Sequence, residues 1–102
     1  MEIETLFISV VSNQQFSPGQ TVMTDGVQEL VQQGIFNPSE CLRRHLSGDW
    51  GDVDKHDWHR NDVALKSACR LLSAYKITPE VKIWIITEWD RSVTTLLLPS
   101  EY

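Results

Sequence analysis

The sequence predicts a two-layer α+β domain, about three helices packed on a three- to four-stranded antiparallel sheet, from a change of period partway along the chain. As far as Cys69, apolar residues recur at helical spacing, between residues that start and stop helices. From Arg70 onward the period falls to two, over three runs separated by turn residues, which predicts a C-terminal β-meander. A length of 102 residues suits one domain with one core.

Residues 1–16 read as an N-terminal arm or edge strand, with an apolar patch at Leu6–Val11 and linker-like Asn13-Gln14-Gln15. The folded domain is expected over residues 17–102. Ser17-Pro18-Gly19 is a turn signal, and Gln20–Met23 follows as a short strand. The first helix starts with Thr24 or Asp25 as its cap, carries Val27, Leu30 and Val31 on one stripe, and stops at Gly34. Asn37-Pro38-Ser39-Glu40 starts the second, with Asn37 as cap, Pro38 in the first turn and Glu40 where a capping-box carboxylate would sit. Cys41, Leu42 and His45 keep its period until Ser47-Gly48 breaks it.

Gly48-Asp49-Trp50-Gly51-Asp52 is a tight loop around a large aromatic. The third helix is expected over about Asp54–Cys69, its apolar stripe formed by Trp58, Leu65, Ala68 and Cys69. Asn61 and Asp62 interrupt that stripe and are predicted to be structural polar groups. They would hydrogen-bond the backbone of the Gly48–Asp52 loop and pin Trp50 against Trp58. Strands are expected at Arg70–Ile77, Val81–Glu88 and Ser92–Leu98; Val81, Ile83, Trp84, Ile85 and Ile86 mark the middle one as central.

Charge narrows the partner classes. The chain carries 14 acidic and 9 basic residues, a net charge of -5, which disfavours binding nucleic acid through a basic surface. No apolar run is long enough to span a membrane, and the acidic start has no basic n-region. Two cysteines form no disulfide framework, so a cytoplasmic setting is expected.

Three constellations can carry chemistry or binding. Cys41 and His45 are spaced i, i+4, and His56 and His59 i, i+3, so the four are weak candidates for tetrahedral zinc; without a specific signature, no metal or cofactor is expected. His45, Glu88 and Arg91 are the catalytic candidates: Glu88 or His45, with Arg91, would fill the roles of base, acid and phosphate-stabilising cation of a metal-independent ribonuclease. That reading requires the loop after the second helix to fold over the last hairpin. The structural alternative pairs Glu88 with Arg91 across the turn. The binding candidates are Trp89, Asp90 and Arg91 at the hairpin tip with Asp49 and Trp50 of the loop, a composition typical of interaction hot spots.

His45, Gly48-Asp49-Trp50-Gly51, Asn61-Asp62, Ala64-Leu65, Leu72-Ser73-Ala74-Tyr75, Lys82–Glu88, Asp90-Arg91-Ser92, Thr94-Thr95, Leu98-Pro99 and Glu101-Tyr102 together carry a resemblance. Over residues 17–102 the chain resembles a group of small proteins carried on bacterial plasmids and integrative elements. The resemblance implies accessory cargo of mobile DNA and supplies no reaction or ligand. Trp89 departs from the small residue expected there, which points to a role for that ring in this chain. The leading expectation is therefore a small mobile-element or phage protein that binds a protein partner, possible homodimers included. The alternative is a ribonuclease-like or RNA-binding domain.

Overall fold

The computed structural model describes Glu4–Thr5 and residues 13–102. Strands β1 (Glu4–Thr5) and β2 (Gln20–Met23) precede helices α1 (Asp25–Gln32), α2 (Pro38–Leu46) and α3 (Lys55–Ser67). Strands β3 (Leu71–Thr78), β4 (Val81–Thr87) and β5 (Val93–Leu97) and a 3-10 turn at Pro99–Glu101 complete the chain. The domain is the expected α+β arrangement, with the predicted meander intact. No described helix is long and apolar enough to cross a membrane. The apolar patch Leu6–Val11 lies outside the described residues.

The sheet order is β1-β2-β5-β4-β3. It is mixed, which corrects the antiparallel expectation: β2 lies parallel to β5, with Gln20 opposite Val93 and Met23 opposite Leu96. A short strand at the start and a meander at the end gave no cue to their relative direction. Gly19 makes the entry to β2 possible. Its φ is +66°, and a Cβ there would lie 2.3 Å from the Ser92 carbonyl oxygen, so only glycine fits where the two chains cross.

One face of the sheet carries the main core. Met23, Tyr75, Ile83, Ile85 and Leu96 pack there against Val27 of α1, Phe36, and Cys41 and Leu42 of α2. Asn37 caps α2 as expected, accepting a hydrogen bond from the Ser39 backbone N–H at 3.0 Å, while Glu40 pairs with Arg43 rather than closing a capping box. Thr24 does not cap α1 with its side chain; its hydroxyl donates to Glu101 at 2.5 Å. The other Glu101 oxygen accepts the Gly26 N–H at 3.0 Å, so the C-terminal turn supplies the anion at the helix N-terminus. Burial works against ionisation of Glu101, yet these donors hold its carboxyl below the ordinary value.

Helix α3 presents a different face from the one expected. Asn61 and Ala64 are its buried residues, Trp58 and Leu65 are half-buried, and Ala68 and Cys69 are exposed. The reason is the free edge of β3. Asn61 donates to the Leu72 carbonyl at 2.8 Å and accepts the Leu72 N–H at 3.1 Å, so its amide behaves like a neighbouring strand residue. Two residues on, Ala74 N–H donates to the Trp50 carbonyl and Ala74 O accepts Asp52 N–H. Next, Lys76 N–H donates to the Asp52 carboxylate at 2.8 Å. A side-chain amide, a loop and a carboxylate thus occupy successive outward-facing positions of an edge that would otherwise invite another strand.

Candidate functional site

Two places collect the candidate residues, one beneath the sheet surface and one at the hairpin tip. The buried one is built by α2, which brings His45 down onto the ends of β3, β4 and β5. His45 is completely buried. Its Nδ1 lies 2.5 Å from Ser73 Oγ and its Nε2 2.9 Å from Thr87 Oγ1. Thr87 Oγ1 is 2.7 Å from Thr94 Oγ1, and Thr94 donates to the Pro18 carbonyl at 2.8 Å.

The terminal carbonyl fixes every proton in this chain. Thr94 gives its hydrogen to Pro18, so it accepts from Thr87. Thr87 then accepts from His45, which carries its proton on Nε2, and Nδ1 accepts from Ser73. Phe16 and Trp50 enclose the imidazole in edge-on contacts, with ring centroids 5.4 and 5.6 Å away. Burial first, and the Arg91 charge second, lower the His45 pKa to about 3. It is a neutral, fully hydrogen-bonded core residue, not an accessible base.

Trp50 belongs to the same wall. It is 0% exposed, so it leaves the set of surface binding residues. Its Nε1 donates to Asp62 at 3.0 Å, so Asp62 holds the loop through the Trp50 side chain and not through the loop backbone as expected; Asn61 holds β3 rather than the loop. Asp49 takes a bidentate contact from Arg44, at 2.7 and 3.3 Å, and accepts the Gly51 N–H. The Arg44 contact foremost holds the Asp49 carboxyl below its usual value. The Asp49 carbonyl also accepts the Tyr75 hydroxyl. Gly51 has φ +76°, and a Cβ on it would lie 2.1 Å from the Ala74 carbonyl oxygen. The loop is a fitted edge piece of β3, not a lid over the hairpin tip.

The tip spans the connection between β4 and β5. Arg91, at φ +59°, folds its guanidinium back beneath the turn. It donates to the carbonyls of Glu88 at 3.0 Å, Cys69 at 2.6 Å and Ala64 at 2.9 Å, which places a cation at the C-terminal end of α3. Asp90 accepts from both the hydroxyl and the N–H of Ser92, chiefly the hydroxyl, and its pKa is lowered accordingly. Glu88 does not pair with Arg91, as the structural alternative had it, but with Arg70 at 3.4 Å. Trp89 is left 63% exposed on this braced turn.

His45, Glu88 and Arg91 therefore do not form a cleft: one is sealed, one faces Arg70, and one is spent on carbonyls. The metal candidates fare similarly. Among the described residues no group of three or more His, Cys, Asp and Glu is placed to hold an ion. Burial pushes the Cys41 thiol up to about 11, and His56 and His59 are exposed on α3.

Missed from sequence were the structural roles of Arg70, Ser73, Thr87 and Thr94. The threonines alternate into the core face of their strands, a signal that the period of two already contained. No protein family matches the chain, and no curated protein or solved structure matches it either.

Proposed function

We propose that this is a small accessory protein of a mobile element or phage that works by binding another protein, in an anti-defence or regulatory role. The observation that carries the reading is Trp89, 63% exposed on a turn that Arg91 ties to the Ala64 carbonyl of α3 and to the Cys69 carbonyl just beyond it. A rigid aromatic held in water loses little conformational entropy when it enters a partner's pocket, which is the economy of a binding anchor.

The ribonuclease-like alternative asks for a base within reach of substrate. Of its two candidates, His45 is buried, neutral and committed at both ring nitrogens and Glu88 is paired with Arg70, which favours binding as the reading. Affinity capture from a bacterial host lysate tests it. The wild type is expected to retain a stoichiometric partner protein that Trp89→Ala loses. Capture of nothing at stoichiometric level would contradict the reading.

A further inference from the structure

The charges around the hairpin tip are not all presented to solvent. Glu88 and Arg70 lie 3.4 Å apart as an ion pair and offset one another. Arg91 is turned inward. Its guanidinium donates to the carbonyls of Ala64, Cys69 and Glu88 and lies 5.7 Å from the centre of the Phe16 ring. Its charge is felt in the core, where, after burial itself, it helps to keep His45 neutral.

Asp90 is the exception. Ser92 alone holds it, and both the Ser92 hydroxyl, at 2.6 Å, and the Ser92 N–H, at 3.1 Å, donate to Oδ1. Among the described residues Oδ2 accepts no hydrogen bond, and the carboxylate has no ion pair. The Ser92 hydroxyl first, and its N–H second, hold the carboxyl below its usual value, and no cation takes part, so Asp90 is an anion at neutral pH. The turn therefore offers solvent an indole and, on the next residue, a carboxylate with one oxygen free.

We infer that the tip docks into an apolar slot of the partner protein whose rim carries arginine or lysine, with Trp89 in the slot and the Asp90 carboxylate on the rim cation. The inference rests on the protein-binding reading and specifies its partner. Desolvation calls for the cation: a neutral wall laid over Asp90 removes its water and replaces none of those contacts. A guanidinium suits both neighbours, because it stacks on an indole face and grips a carboxylate with two parallel N–H donors. The whole chain points the same way, since a net charge of -5 steers a basic protein toward it.

A displayed library of random dodecapeptides, selected on the intact protein, tests this. Sequences combining Arg or Lys with apolar residues are expected to be enriched. A synthetic peptide of the enriched sequence should bind roughly tenfold more weakly to Asp90→Asn, which keeps an oxygen for Ser92, and more weakly still to Asp90→Lys. Trp89→Ala should weaken it at least as much. Glu80→Gln is the control. It removes the same single charge from an exposed position at the other end of β4, about 23 Å of strand away, and should change affinity by less than about twofold. Enrichment of acidic or uncharged peptides, no enrichment, or equal losses from Asp90→Asn and Glu80→Gln would overturn the inference. Peptides that need Trp89 and ignore Asp90→Asn would remove the basic rim while the protein-binding reading stood. Peptides that ignore both substitutions would remove the tip as the anchor as well.

Discussion

The interior around His45 and the hairpin tip around Trp89 are built from the same kinds of residue, and burial gives them opposite meanings. Each joins an aromatic ring, titratable or charged side chains and hydroxyl groups, three in the interior and that of Ser92 at the tip. In the interior, every polar atom is matched. Ser73, His45, Thr87 and Thr94 pass hydrogen bonds in one direction to the Pro18 carbonyl, and Trp50 discharges its N–H on Asp62. Such a network fixes how α2 sits on the sheet, and it is costly to leave partly satisfied. At the tip, polar matching serves instead to brace a turn while its largest side chain stays in water. Residue inventory alone cannot separate a structural histidine from a catalytic one; solvent access can.

The comparison breaks most easily from the interior side. Gly51→Ala places a methyl against the Ala74 carbonyl at a backbone conformation few other residues adopt. It should cost about 4 kcal/mol, read as a lowered midpoint in urea unfolding. His45→Ala leaves the Ser73 hydroxyl without its acceptor and the Thr87 oxygen without its donor, and opens a void beside Phe16 and Trp50. A loss of about 3 kcal/mol is expected from the same measurement.

Acid gives a graded version. The folded-state pKa of His45 is lowered to about 3, so below the unfolded value near 6.5 the unfolded chain binds the extra proton. Stability from this group is complete above about pH 6.5 and falls as the pH drops toward 3, by up to about 1.4 kcal/mol per unit. From pH 7 to pH 5 the wild type should lose about 2 kcal/mol. Asp49 and Glu101, whose pKa values are also lowered, contribute stability that is lost only at more acidic pH, as their carboxyls protonate. His45→Gln should therefore flatten the slope between pH 7 and 5; an unchanged slope would mean that another group carries it. The smallest effect on stability belongs to the tip, where Trp89→Ala should stay within about 0.5 kcal/mol of wild type.

Much of this architecture is legible in the residues. The three C-terminal strands follow from their period of two, and Asn37-Pro38 marks the start of α2 by cap chemistry alone. What escapes is long-range. The parallel pairing of β2 with β5 depends on how the whole chain returns, and no local residue encodes it. The buried side of α3 is misread because apolar spacing is counted, whereas this helix seats itself with an asparagine amide on a strand edge. Within the candidate site, Asp62 and Trp89 are readable from position. His45 is not, since its fate depends on hydroxyls from three separate strands and on an aromatic from the segment before β2.

The most direct measurement pairs partner capture with thermal unfolding for the wild type and Trp89→Ala. The variant should melt within about 3 °C of wild type and yet lose the captured protein. A variant that keeps its partner, or one that loses it only because it unfolds, would contradict the assignment of the tip as the binding anchor.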